Sequence, residues 1–500
     1  MVRFLHNQEL VELEDVPCDQ TVLEWLRLDR GETGTKEGCG SGDCGACTVV
    51  IATVSLDDSG TPQLQYQSIN SCITFIGCLH ATQLLTVEHL ANGDVLHPVQ
   101  QAMVDQHGSQ CGFCTPGIIM SLFALYQSRE STERQQQRID RALGGNLCRC
   151  TGYRPIRQAA VQALEFRNSE DASASDEIQP APGIALSAVN GGNSAQPLIN
   201  PKSADDSVIK NLIDISSTVA SSENFHQPHG LKELARLYQE NPDYRLLGGG
   251  TDMALEVTQS LQDLPGLIQI ARVPELNRVE ISGKKIQLGA GVTVSKCLQL
   301  LPEKIHCIGE FLLRFGSDQI RNQATVGGNL ASASPIGDLP PLFMALGAEL
   351  TLQRGEVQRR IPIDDFFTGY RQNALQPGEF IVSVEFSVPA DGSTFAVHKI
   401  SKRRDDDISS VCLALHLNPH EGLSSDVRLA FGGMAATPVR ALQTEAALEN
   451  MPFDNRAVSA AQRALVEELQ PISDARASAS YRAQVAQNLL QRILMEATLS

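Results

Sequence analysis

The stretch Glu37-Gly38-Cys39-Gly40-Ser41-Gly42-Asp43-Cys44-Gly45-Ala46-Cys47 decides how the N-terminal part of the chain must fold. Its cysteines follow the spacing C-x4-C-x2-C, and Cys72 stands beyond them, which is the plant-type ligand arrangement for a [2Fe–2S] cluster. Thiolates that converge on a compact anionic group need a loop that curls with amide N–H groups facing the sulfurs. Gly38, Gly40, Gly42 and Gly45 give the backbone that freedom. Two other readings stay open on spacing alone. Buried cysteines in a glycine-rich turn need no metal, and zinc also takes thiolates, although the tight loop suits a cluster better than paired zinc knuckles. Gly40, Gly42 and Gly45 also satisfy the dinucleotide fingerprint G-x-G-x-x-G, but no helix pattern opens on them and a cysteine fills one of the x positions.

Further along, Cys111-x2-Cys114 is followed after 33 residues by Cys148-x-Cys150. Cys114 sits just before a helix start at Thr115-Pro116, where the partial positive charge of the helix end favours a thiolate. Alone, this second group is equally compatible with zinc and iron–sulfur; beside a plant-type loop it reads as a second [2Fe–2S] site. The other five of the 13 cysteines, Cys18, Cys78, Cys297, Cys307 and Cys412, have no grouping and read as ordinary buried small hydrophobes.

With 500 residues, 42% of them hydrophobic and 20% charged, the chain has material for several cores, and length alone gives about three domains. A net charge of −18 argues against nucleic-acid and anionic-membrane partners. The start, Met1 to Glu9, has no signal-peptide run, and no stretch of 18 uninterrupted apolar residues follows, so a cytoplasmic protein is expected. Short apolar runs (Val2 to Leu5, Leu10 to Leu13, Cys47 to Val54) and one helix (Thr21 to Leu28) make residues 1–86 a small α+β domain. Helical patterns from Gly117 to Tyr126 and from Tyr153 towards Phe166 fill residues 87–167. Residues 168–222, rich in Ser, Ala, Asn, Asp, Gly and Pro, are expected to form a flexible linker. Mixed helices and strands follow over 223–389 and 390–500.

The third unit carries two glycine-rich loops. Leu246-Leu247-Gly248-Gly249-Gly250-Thr251-Asp252-Met253 follows a strand pattern and could wrap backbone amides round a pyrophosphate, though a tight turn explains three glycines equally well. Ala324 to Asp338 packs small residues and hydroxyls into one stretch, and two such loops in one domain favour a nucleotide over two idle turns. On composition, Lys399 to Asp407 is a solvated charged loop.

The first loop, together with Gln110-Cys111-Gly112-Phe113-Cys114-Thr115-Pro116-Gly117 and Gly145-Asn146-Leu147-Cys148-Arg149-Cys150-Thr151-Gly152-Tyr153, resembles the iron–sulfur half of the xanthine dehydrogenase (molybdenum hydroxylase) family. The resemblance covers nearly the whole chain outside the linker. It implies an α+β multidomain protein: a ferredoxin-like β-grasp domain, a four-helix-type [2Fe–2S] domain, a non-Rossmann α+β FAD-binding domain and a C-terminal α+β flavoprotein domain. The implied cluster ligands are Cys39, Cys44, Cys47 and Cys72, then Cys111, Cys114, Cys148 and Cys150. Implied FAD contacts are Leu246, Leu247, Gly248, Gly249, Gly250, Thr251, Asp252 and Met253, then Thr325, Val326, Gly327, Gly328 and Asn329, with Ser332, Asp338, Lys399 and an aromatic ring, Phe315, near the isoalloxazine. Read without the resemblance, Phe315 is a core phenylalanine. Arg314 departs from the tryptophan of the animal enzymes, which leaves the choice between NAD and oxygen as acceptor open.

The resemblance further implies an electron-transfer subunit of a two-chain xanthine dehydrogenase. It would take electrons from a molybdopterin-binding large subunit during hydroxylation of hypoxanthine and xanthine to urate, and pass them through both clusters to FAD and then NAD⁺. The chain ends at Ser500 with no room for molybdopterin domains, so a complex with two copies of each subunit and no catalytic acid or base in this chain is expected. The rivals are the same subunit serving an aldehyde, an N-heterocycle or carbon monoxide, a stand-alone NAD(P)H diaphorase, and a zinc-binding interaction module.

Overall fold

The computed structural model describes residues 1–57, 59–128, 134–175, 201–452 and 454–499. At the N-terminus the hairpin Val2–His6/Glu9–Leu13 leads into Val22–Glu24, prolonged by the wider turn Trp25–Asp29. Thr21 starts this helix with a reciprocal cap: its hydroxyl accepts the Glu24 amide, and the Glu24 carboxylate accepts the Thr21 amide. Val22, Trp25 and Leu26 face Phe4, Val49 and Ile69 of a five-stranded sheet. Its order is Glu9–Leu13, Val2–His6, Gln83–Leu85, Thr48–Leu56, Pro62–Asn70, with Val2–His6 and Gln83–Leu85 parallel and the other neighbours antiparallel. A mixed sheet wrapped round one helix is the β-grasp arrangement expected.

Four helices follow, Pro98–Asp105, Thr115–Gln127, Gln135–Leu143 and Arg154–Ser175. Ile156, Ala159, Ala160 and Ala163 recur at helical spacing and bury against Ile118, Leu122 and Ile139. Pro116 is tolerated in the first turn of its helix, where its missing N–H would have had no partner.

The stretch expected to be a linker is different at both ends. The helix opened by Arg154 continues to Ser175, and Pro201–Ser216 is a helix as well; the expected linker residues 176–200 lie outside the described residues. The composition of 201–216 is polar, yet Val208, Leu212 and Ile215 fall on one face and bury against Leu5 and Ala81 of the first domain. Three apolar residues at the right spacing outweigh a polar average.

Beyond it, one sheet orders Ser221–Ser222, Phe225–His226, Leu267–Gln269 and Arg245–Leu247. A second, antiparallel one orders Val279–Ser282, Lys285–Gly289, Glu379–Ser387, Glu349–Arg354 and Val357–Pro362. The last part pairs Thr394–Ile400, Val411–His420, Leu423–Gly432 and Val439–Arg440 antiparallel, and the helices Asn455–Glu468 and Ala479–Leu499 cover that sheet through Leu465, Leu490 and Ile493. Among the ungrouped cysteines, Cys18, Cys297 and Cys412 are buried, but Cys78 is only partly so and Cys307 is exposed, because it precedes the helix Ile308–Leu313 on its solvent side. Among the described residues no helix is long and apolar enough to cross a membrane.

Leu212 is 1% exposed, so Leu212→Asp places a charge in an apolar contact and should release Pro201–Ser216 from the sheet. Trypsin is expected to cut at Lys210 at least about tenfold faster in this variant, as local opening dominates cleavage; an unchanged cutting rate would show that the helix is not held by this face.

Candidate functional site

The first cysteine loop lies between the end of the β-grasp helix and the strand Thr48–Leu56, and Cys72 sits on the short turn Ser71–Ile73. The four sulfurs form a string: Cys44 against Cys39, Cys39 against Cys72, and Cys72 against Cys47 at 3.2 Å. Backbone amides face them, that of Ser41 reaching Cys39 Sγ at 3.4 Å and those of Ala46 and Cys72 reaching Cys44 and Cys47. Hydrogen bonds from Cys44 and Cys72 hold Cys39 and Cys47 below the usual thiol range, while those same bonds and burial push Cys44 and Cys72 above it. In the second set Cys111 meets Cys150 and Cys114 meets Cys148. Burial, then the contact with Cys148, raises Cys114 to about 12.

This spread of sulfurs discriminates between metals. Four thiolates around one tetrahedral zinc at about 2.3 Å lie about 3.8 Å from one another. Among the described residues no three sulfurs of either set come within 4.8 Å of one another. Elongated sets of four thiols with amide donors aimed at them fit a two-iron cluster, and the eight cysteines are the residues that would hold two of them.

The two sets are tied together by backbone. Leu147 N–H donates to Cys44 O at 2.9 Å, so a cysteine of the first set is one hydrogen bond from the residue preceding Cys148. Asn146 Nδ2 donates to Gly45 O at 3.1 Å. Gly45 has φ 67°, and a Cβ there would lie 2.2 Å from Gly145 O, so both its conformation and its neighbour require glycine.

The flavin half touches the first loop directly. Thr258 Oγ1 donates to Gly40 O at 2.6 Å and Gln259 Nε2 to Cys39 O at 3.0 Å. Both residues close the helix Ala254–Thr258, onto which the loop Leu246–Met253 opens. The two glycine-rich loops lie on one another: a Cβ on Gly249 would be 1.8 Å from Gln323 O, and one on Gly248 2.7 Å from Thr325 Oγ1. Leu247 is buried at the end of its strand, with Leu246 partly so, and Asp252 is 3.9 Å from Arg371. Thr325 caps the helix Val326–Ala331, its hydroxyl accepting the Gly328 amide at 3.0 Å, and Ser332 ends it. Within that helix, Asn329 Oδ1 accepts the Leu339 amide at 3.2 Å. Lys399 Nζ reaches Asp338 Oδ2 at 2.7 Å in a buried ion pair, and Ser409 Oγ donates to the other oxygen of Asp338. Phe315 is buried in the core of the flavin half. A close glycine cradle lined by hydroxyls and one buried lysine fits the phosphates and polyol of a flavin nucleotide, and these are the residues that would hold it.

Sequence reasoning missed Thr258, Gln259 and Gln319, whose side-chain amide donates to Thr48, Ser121 and Asn146; these residues fasten the halves together, and no spacing distinguishes them from surface amides and hydroxyls. Arg314 is also structural here: its guanidinium donates to Lys399 O, to Ser401 Oγ at 2.9 Å and to Arg404 O at 3.4 Å, pinning the charged loop.

Residues 5–77 match a 2Fe-2S iron-sulfur cluster binding domain, 86–161 a [2Fe-2S] binding domain, 220–390 the FAD binding domain in molybdopterin dehydrogenase, and 396–497 the CO dehydrogenase flavoprotein C-terminal domain. The chain belongs to the molybdenum hydroxylase family. It is 33% identical to the xanthine dehydrogenase/oxidase of Rattus norvegicus over 95% of this chain and 37% of that protein. Against the xanthine dehydrogenase of Oryza sativa it is 35% identical, over 88% of this chain and 35% of that one. The chain thus spans little more than a third of these relatives. Among solved structures, a chain of carbon monoxide dehydrogenase from Hydrogenophaga pseudoflava superposes with TM-score 0.53 at 27% identity, covering 55% of this chain and 97% of that one. The family members are iron–sulfur and flavin oxidoreductases, and the four domains here are theirs.

Asp406 adds a pH-dependent element beside the site. It is 8% exposed, and burial, then the charge of Asp43 in the first cysteine loop, raises its carboxyl to about 7. A folded value above the unfolded one means that the native state binds the extra proton, so stability is lost as pH rises from about 4 through 7. Asp406→Asn should therefore melt at a higher temperature than the parent at pH 8 and at the same temperature near pH 4, read as the apparent midpoint of the cofactor-loaded protein. A difference independent of pH would refute the assignment.

Proposed function

We propose that this chain conducts electrons from a molybdopterin-binding partner to NAD⁺ in a xanthine dehydrogenase complex that hydroxylates hypoxanthine and xanthine to urate. Bound [2Fe–2S] groups exchange single electrons and a flavin exchanges one or two, so together they join two-electron chemistry at both ends. The eight cysteines are the proposed ligands. Leu246 to Met253, Phe315, Thr325 to Asn329, Ser332, Asp338 and Lys399 are the proposed flavin contacts, and the five-part division of the chain is proposed with them, its 168–222 segment containing the end of one helix and the whole of another.

One observation carries the direction of flow: the two cysteine sets differ in exposure. Cys111 and Cys150 are exposed, with Phe113 and Leu147 beside them 48% and 46% exposed, whereas Cys47 and Cys72 are buried. The outer set is therefore the one a partner can approach, and Phe113 and Leu147 supply apolar surface for it to cover. The inner set lies against Thr258 and Gln259, at the far end of the helix onto which the proposed flavin loop opens. The chain's own work is to position: thiolates would hold each cluster, and the glycine-rich loops with their hydroxyls would hold the flavin. No residue here is proposed to move a substrate proton.

A purine substrate is favoured over carbon monoxide by chain organisation. The xanthine dehydrogenases of Rattus norvegicus and Oryza sativa match 95% and 88% of this chain, whereas the carbon monoxide dehydrogenase chain matches 55% of it. A complex with two copies of each chain, in the cytoplasm, completes the proposal.

The test is the complex purified with its partner. Xanthine and hypoxanthine should reduce NAD⁺, and Phe113→Glu should weaken partner capture by about tenfold or more, the loss of one interface anchor, with iron still at about four per chain. Turnover of aldehydes, N-heterocycles or carbon monoxide without purine turnover would move the chain to the alternative subunit class. NADH oxidation by this chain with no partner that binds it would make it a diaphorase.

A further inference from the structure

We propose that His6, Glu32 and His89 form a site for one divalent transition-metal ion of zinc-like chemistry, separate from the cysteines, which clasps the β-grasp domain to the helical domain. His6 ends the strand Val2–His6, Glu32 follows the turn Trp25–Asp29, and His89 closes the short helical turn Val87–His89 that leads into the second domain. Three elements from both sides of a domain boundary thus bring their ligating atoms within 4.8 Å of one another.

The arrangement has the marks of a ligand set rather than a hydrogen-bonded one. The His6 side chain is 1% exposed, and its Nε2 lies 3.2 Å from Glu32 Oε2, yet that nitrogen makes no hydrogen bond among the described residues. A buried polar nitrogen aimed at a carboxylate without bonding to it is costly, and a shared cation relieves the cost. His89 Nε2 is 3.9 Å from the other carboxylate oxygen, and its ring meets that of His6 edge-on with centroids 4.4 Å apart. Ligands on a tetrahedral ion with bonds of about 2.0–2.1 Å lie about 3.4 Å apart, so closing the site needs only a side-chain adjustment at the more exposed His89.

The supporting groups suit a metal as well. Thr86 Oγ1 lies 3.2 Å from His89 Nδ1 and donates to Glu32 Oε2 at 3.3 Å. The Thr86 amide donates to His89 Nδ1 at 3.4 Å, so binding a metal through Nε2 moves the ring proton to Nδ1 and exchanges that bond for one to the Thr86 hydroxyl. The nearest cation, Arg30, is engaged with Glu9 at 3.0 Å and stacked over Trp25, whereas Glu88 adds negative charge beside Glu32. Two imidazoles and one carboxylate select zinc or its transition-metal neighbours over magnesium or calcium. Side chains of Glu32 and His89 that are 18% and 17% exposed leave an entry path and a position for water.

The cofactor-loaded protein, equilibrated with zinc chloride and then dialysed against zinc-free buffer, should retain one zinc beside about four irons. Its zinc X-ray absorption edge should show only nitrogen and oxygen neighbours at about 2.0–2.1 Å. Glu32→Gln and His89→Asn, both at the accessible side of the site, should lower zinc retention at least tenfold with iron content unchanged. Zinc absent after dialysis, zinc with sulfur neighbours at about 2.3 Å, or equal retention by the variants would overturn the site.

Discussion

The side-chain amide of Gln319, fully buried, donates to Ser121 at 3.1 Å, Asn146 at 3.2 Å and Thr48 at 3.3 Å. One residue of the flavin half therefore holds two from the helical domain and one from the β-grasp domain, and these three are buried too. A buried polar group left without a partner costs about 1–3 kcal/mol, so drawing the Gln319 amide away from these acceptors within the packed junction carries such a penalty. The node sets register as much as strength. Asn146 is also the residue that reaches Gly45 O, and its neighbour Leu147 bonds Cys44 O, so the bonds that fix the domains also fix the spacing of the two sulfur sets.

Around the node the charges are placed to hold the flavin half in the same register. Asp318, next to Gln319, pairs with Arg321 inside its own domain and with Arg141 of the helical domain at 2.8 Å. Arg321 is 2% exposed and spends its guanidinium on the carbonyls of Leu313, Phe315 and Gly316. A buried arginine with so many acceptors locks the turn that carries Phe315 and Gln319. On the far side, Lys399 and Asp338 bind the C-terminal sheet to the second flavin loop, and removing either would strand a buried charge. Conduction asks for fixed distances more than for movement, and this structure spends its buried polar groups on fixing them.

The proposed ligand sets can be picked out in the sequence because cluster chemistry dictates residue type and spacing locally, within a loop that no ordinary turn requires. The four architectural units were readable for a similar reason, through apolar periodicity and through motif resemblance. The junction was not readable. Gln319, Asn146, Thr48 and Ser121 acquire their role only when three separate units meet, and nothing within a few residues of Gln319 marks it. The helix Pro201–Ser216 escaped because averaging over a polar segment hid Val208, Leu212 and Ile215, whose burial depends on a sheet formed two hundred residues earlier. Cys307 shows the converse: a cysteine without a motif was given the usual buried place, but its position on a helix end leaves it exposed.

If the junction makes the two cysteine sets one conducting unit, their reduced clusters must sense each other magnetically. Electron paramagnetic resonance of the dithionite-reduced protein tests this directly, with Cys72→Ser as the control that removes one partner. The account predicts two [2Fe–2S] signals whose lines split at low temperature, and a single unsplit signal in the variant. Two unsplit signals in the parent, unchanged in shape when one cluster is removed, would contradict it.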